Sequence, residues 1–226
     1  MARITHLTAE EHAMVGEAVA RAEQDTDGEI VTIVSERSDQ YRDAALQYAV
    51  AAALAVVALA AISPGAFEAR FGWSSGGWGE VDARSLLFSV LVAETLVFLL
   101  VRFALVWTPL RLALTPRGTR ARRVRRRAIQ YFKVGAERRT EARVGILLYL
   151  SLDERMAEIV ADEAIHKAVP AERWGDAMAA LVDEVRQGRP AHGMAAAVAS
   201  IGAILSENFP KTEADRNELP DRLIEL

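Results

Sequence analysis

The sequence predicts an α/β fold, a small α/β/α sandwich domain interrupted by a two-helix transmembrane hairpin. Three observations predict it. Short aliphatic runs, Glu29–Ser35 and Val144–Leu150, have the length and composition of buried strands. Amphipathic segments flank them at helical spacing. Two long apolar runs, Ala44–Ile62 and Leu86–Trp107, lie between the two strand-bearing pieces. The expected organisation is therefore residues 1–43 as helix and strand, 44–107 as the hairpin, and 108–226 as the remainder of the sandwich.

Thr8-Ala-Glu-Glu11 has the form of a capping box and opens a helix to about Glu23. Its apolar stripe is Leu7, Met14, Val15, Ala18, Val19 and Ala22. Asp25-Thr-Asp-Gly28 is a turn cluster before the first strand. One helix and one strand cannot close a sheet alone, so this piece needs a partner. After the hairpin, Thr119–Arg139 reads as a basic helix with Val124, Ala128, Tyr131, Phe132 and Gly135 on one face. Val144–Leu150 is the central strand, and Met156–Ala161 returns beside it through Asp153-Glu-Arg155. Ala171–Gln187 and His192–Asn208 are amphipathic helices parted by Gly188-Arg-Pro190. The tail at Asn217-Glu-Leu-Pro-Asp221 reads as polar and extended.

Ala44–Ile62 runs 19 residues without a charge, and Leu86–Trp107 runs 22 with only Glu94 and Arg102. About 20 apolar residues in a helix cross a hydrocarbon layer of roughly 30 Å. The first run is not read as a signal peptide, because a patterned segment precedes it. Charge is strongly segregated around the runs. Residues 1–43 carry a net −6, residues 44–143 a net +9 and residues 144–226 a net −7. An ordinary soluble enzyme does not show that pattern. Residues 108–127 hold eight arginines and no acid, whereas the 63–85 connection is near balance. The positive-inside rule therefore puts the arginine block in the cytoplasm, with two spans and both termini cytoplasmic in the cell (inner) membrane. Phe67, Phe71, Trp73 and Trp78 suit the outer interface, and Trp107 the inner one.

Glu94 falls near mid-depth, where a charge costs roughly 2.5–3.5 kcal/mol on insertion scales. It is expected to be protonated or turned toward the other helix as a polar contact, beside an Ala45/Ala49/Ala53 row on the first span. One carboxylate makes no ion pathway. Arg102 can extend to the inner headgroups. The cluster Arg122, Arg123, Arg125, Arg126 and Arg127 is juxtamembrane, and such clusters bind anionic lipid headgroups rather than nucleic acid.

With no cysteine there is no disulfide framework or thiolate site, and the four histidines lack ligand spacing. Gly72–Gly79 lacks the lysine and following helix of a phosphate-binding loop. The carboxylates Glu29, Asp153 and Asp162 are the candidate ligands for a hard cation such as calcium. Asp162 leads because it follows a strand, where open α/β sheets bind ligands.

Both soluble pieces resemble the TPM domain family, in Thr26-Asp-Gly-Glu-Ile30, Gly145–Arg155 and Glu158-Ile-Val-Ala-Asp162. Further likenesses are Trp174, Gly188, Gly202, Phe209-Pro210 and Asn217–Asp221. Where the family often has D-x-G-I, this chain has Asp162-Glu-Ala-Ile165. The resemblance implies an α/β/α fold, calcium binding in some members and phosphatase activity in few, and a membrane-inserted bacterial subgroup looks like this chain. The leading expectation is a membrane-anchored cytoplasmic scaffold or regulatory module for a membrane-protein partner. The alternative is a metal-dependent phosphatase.

Overall fold

A computed structural model describes residues 6–71, 83–135, 144–170, 172–212 and 222–226. The chain forms two compact units, one of residues 1–39 with 117–226, the other of residues 40–116.

In the first unit, helix α1 (Ala9–Ala22) leads through a 3₁₀ turn to strand β1 (Glu29–Ser35). The α1 cap is the expected box. Glu11 N–H donates to Thr8 Oγ1 at 3.2 Å, and Thr8 N–H donates to Glu11 Oε2 at 2.8 Å. The chain re-enters this unit at α6 (Arg117–Gly135) and continues into β2 (Gly145–Ser151) and β3 (Met156–Ala161). Helices α7 (Glu163–Ala168), α8 (Arg173–Arg186) and α9 (Pro190–Asn208) precede the short strand β4 (Leu223–Glu225). The sheet order is β3-β2-β1-β4. β1 runs parallel to β2 and to β4, and β2 and β3 form the antiparallel hairpin.

Alternation along the strands sorts the core into two layers. Ile30, Val34, Ile146, Leu148 and Leu150 pack with Val15 and Val19 of α1, Leu181 of α8 and Ile201 of α9. Val31, Ile33, Leu147 and Tyr149 face the other way, onto Val124, Ala128 and Phe132 of α6. The sheet is thus covered on both faces, which is why its central strands β1 and β2 are buried along their whole length and mostly apolar. Helix α9 lies close on α1: a Cβ at Gly202 would meet Ala22 Cβ at 2.6 Å and its Cα at 3.0 Å. Gly188, at φ +80°, ends α8, and Pro190 opens α9.

In the second unit, α2 (Arg42–Ile62) and α4 (Ala83–Ala104) pack against each other, with α3 (Pro64–Phe71) between them in sequence. Ala45 and Ala49 are fully buried, and Ser89 is the buried residue of α4. Helix α5 (Thr108–Leu114) follows a turn at Leu105–Trp107 and starts with Pro109 in its first turn. Arg111 bridges that turn, donating to the Leu105 carbonyl at 3.3 Å and to Thr108 Oγ1 at 3.4 Å. Tyr48 OH donates to the Leu114 carbonyl at 2.7 Å.

Several boundaries differ from expectation. The second apolar helix ends at Ala104 instead of Trp107, because the chain turns before Pro109. The short helices α3, α5 and α7 and the strand β4 were not expected. Each is too short to show a period. Trp73, Trp78, Arg138, Arg139 and the Asn217–Asp221 tail lie outside the described residues.

Candidate functional site

The three carboxylates expected to hold a cation do not converge. Glu29 begins β1 and pairs in register with Gly145 at the start of β2. β3 is antiparallel to β2, so Asp162 at its end comes to the same end of the sheet. There Asp162 Oδ2 accepts from Gly145 N–H at 2.8 Å, and its own N–H donates to the Gly145 carbonyl at 3.0 Å. Both acids are buried, Glu29 to 7% exposure and Asp162 to 9%. Asp153 lies past the opposite end of β2, where it ion-pairs with Arg37 Nε at 3.1 Å. These three residues therefore do not fit one calcium site. Among the described residues no group of three or more His, Cys, Asp or Glu side chains could hold a metal ion.

The strand-end argument for Asp162 also reverses. Ligands of open sheets gather at the carboxyl ends of the parallel strands. Because β3 is antiparallel, its end lies at the amino ends of β1 and β2. The neighbouring acids there bind the backbone. Glu23 Oε1 accepts from Ile30 N–H at 2.7 Å. Asp27 accepts from Thr212 N–H at 2.7 Å and from its hydroxyl at 2.8 Å. Thr26 Oγ1 donates to the Phe209 carbonyl at 2.6 Å and accepts from Gly28 N–H at 3.1 Å. This end is a stapled joint between the first strand and the end of α9.

The carboxyl ends of β1 and β2 carry a buried polar cluster that the sequence reading missed as a unit. Glu154, 3% exposed, accepts from Ser38 N–H at 3.0 Å and from the Ser151 hydroxyl. The Ser38 hydroxyl shares a hydrogen bond with Tyr149 OH at 3.0 Å, and Arg127 Nε donates to the Ser38 carbonyl at 3.1 Å. Burial pushes the Tyr149 phenol above its ordinary value, and hydrogen bonds with Ser38 and Ser35 pull it partly back. Tyr149 therefore keeps its proton at neutral pH and is no ready nucleophile. The cluster fastens the chain leaving β1, Glu36–Asp39, to the β2–β3 turn. Its one sequence signal was a tyrosine within an otherwise aliphatic strand.

The arginine cluster on α6 divides by direction. Arg123 reaches Asp39 at 3.2 Å, Arg125 reaches Glu158 at 3.7 Å, and Arg127 lies 5.5 Å from the Tyr131 ring centroid as well as on Ser38. Burial raises the Glu158 carboxyl above its ordinary value, against the pull of Arg125. Arg122 and Arg126, four residues apart, are exposed, as is Lys133, seven residues on. At about 100° per residue these three share the side of α6 opposite Val124, Ala128 and Phe132.

This arrangement of basic helix, hairpin strands and capping helices is where relatives match. The family model of the TPM domain matches residues 111–204, from α5 through most of α9. The match takes in rather less than half of the sequence and leaves out β1 and α1. Among solved structures, the chain is similar to the NMR structure of BA42 protein from the psychrophilic bacterium Bizionia argentinensis. That comparison gives a TM-score of 0.57 at 18% identity, over 100% of each chain, which is a likeness of fold. No curated protein matches.

Proposed function

We propose that this chain is a membrane-anchored TPM-domain protein, in which the α2/α4 hairpin crosses the bilayer and the α/β unit serves as a cytoplasmic scaffold or regulatory module. One observation carries the reading. The apolar windows of α2 and α4 are only 17% and 6% buried, whereas a core helix of a soluble protein is mostly buried. Leu54, Leu59, Ile62, Leu99, Leu100 and Phe103 all stand outward. An apolar surface of that extent on a water-soluble chain would be an aggregation liability, and hydrocarbon removes the conflict. Alkaline washing of cell membranes should leave the full chain in the pellet. A reporter at Leu226 that works only outside the cytoplasm, or one at Ser75 that works only inside, would refute the orientation.

Anionic lipid is the second partner of this reading, and the outward arginines narrow it. Juxtamembrane cations near an anionic surface contribute about 1 kcal/mol each. Arg122, Arg126 and Lys133, exposed on one side of α6, are the cations this reading assigns to the headgroups, since Arg123 and Arg127 are engaged within their own unit. A scaffold is preferred over a metal-dependent phosphatase because catalysis needs converging groups. Glu29 and Asp162 sit at one end of the sheet, and Asp153 at the other. Calcium should therefore leave the melting temperature unchanged. A rise of several degrees that Asp162→Asn removes would restore the phosphatase reading.

A further inference from the structure

Glu94 is the twelfth of the 22 residues of α4, its midpoint. It is half-buried on the flank of the hairpin, and among the described residues no hydrogen bond or ion pair reaches it. The polar contact within the hairpin expected from the sequence is therefore not made. If α4 spans a bilayer, a carboxyl group at this depth has no water to satisfy it. Such residues face a protein partner or a wet cavity.

The surroundings of Glu94 have a pattern. Leu87, Leu91, Glu94 and Phe98 recur at spacings of four, three and four residues. That is the heptad seam of a helix packing along another helix. Leu87 and Leu91 are 69% and 55% exposed while Glu94 and Phe98 are half-buried, so the hairpin leaves this seam only partly covered. A lone polar residue in an apolar seam is the device by which packed helices fix register and number.

We propose that this seam is the contact between two copies of the chain, paired through Glu94. Copies inserted with the same orientation carry Glu94 at the same depth, and a two-fold axis along the membrane normal brings equivalent residues together. A carboxylic acid is both donor and acceptor, so two such groups satisfy each other with two hydrogen bonds. A second copy thus supplies at the required depth the partner that the single chain lacks. The leucines above, and the phenylalanine below, complete the seam.

The proposal rests on the membrane reading, and one experiment separates the two. The chain has no cysteine, so single cysteines report cleanly. Leu91→Cys lies on the seam, and Leu96→Cys lies on the far side of α4 and is also exposed. Membranes holding each full-length variant are treated with an oxidant and washed at alkaline pH. Leu91→Cys should give a disulfide-linked dimer, at least fivefold more than Leu96→Cys. Glu94→Leu in the Leu91→Cys background should reduce the dimer severalfold. Glu94→Gln should retain it, because an amide also donates and accepts. If the chain stays in the membrane and the two cysteines crosslink equally, or Glu94→Leu changes nothing, the pairing is overturned. If the chain leaves the membrane, the anchoring reading falls and this proposal with it.

Discussion

Leu148, Leu150 and Ile146 of the α/β unit are within 1% of complete burial, whereas Leu59 and Leu100 of the helical unit are 63% and 70% exposed. The residue types are the same. In the first unit, helices on both faces of the sheet cover them. In the second, α2 buries alanines and α4 a serine, and both helices turn large apolar side chains outward. Apolar content alone does not separate the two regions. The direction in which the large side chains point does, and on the proposed reading the second region meets hydrocarbon where the first meets its own core.

The largest effect should come from breaking this contrast at single leucines. Leu148→Ala removes a fully buried side chain and should cost about 2–5 kcal/mol, read as a lower melting temperature of the α/β unit. Leu59→Ala, on an outward position, should leave that transition unchanged. Equal effects would show that both leucines serve one core.

Next comes the polar cluster at the carboxyl ends of β1 and β2. Glu154→Ala leaves the buried Ser38 N–H and the Ser151 hydroxyl without their acceptor. The expected loss is about 1–3 kcal/mol in chemical denaturation. A loss below experimental error would mean the cluster does not hold the Glu36–Asp39 segment. Removing the α1 cap with Thr8→Ala should cost about 1 kcal/mol, measured the same way.

The smallest effect concerns pH. The folded state raises the Glu158 carboxyl above its ordinary value. A raised carboxyl favours folding below its unfolded pKa, and that contribution is lost as pH rises through the folded value. Glu158→Gln should therefore match or slightly exceed the parent in stability at neutral pH, and lose any advantage under acid conditions. Its partner Arg125 is largely exposed, so the lost ion pair offsets little. A variant markedly less stable at neutral pH would contradict the direction of the shift.

Much of the α/β unit was legible in the sequence, for identifiable reasons. β3 was read at its observed bounds, Met156–Ala161, and β2 within one residue, because both are runs with no competing period. The capping box marked the start of α1 for a chemical reason that no tertiary contact overrides. β4 was missed because Leu223–Glu225 is three residues long and owes its strand form to the edge of β1. The site was less legible. Sequence order says which acids follow strands, but only strand direction says which end of the sheet they reach. β1 beside β2 in parallel, with β3 returning, separates Asp153 from Glu29 and Asp162. The arginine cluster was found as a block, yet its division into Arg123, Arg125 and Arg127, which reach partners in their own unit, and Arg122 and Arg126, turned out, depends on where Asp39, Glu158 and Ser38 lie.

Because the chain lacks cysteine, a nitroxide label can be placed at one position at a time. With the protein in lipid vesicles, collision of the label with oxygen, which concentrates in hydrocarbon, is compared with collision with a water-soluble nickel complex. Labels at Leu54 and Leu99, on the outward sides of α2 and α4, should meet oxygen freely and the nickel complex hardly at all. A label at the exposed surface position Glu172 should behave in the opposite way. If Leu54 and Leu99 instead meet the nickel complex as readily as Glu172 does, these helices lie in water and the membrane-anchored account is wrong.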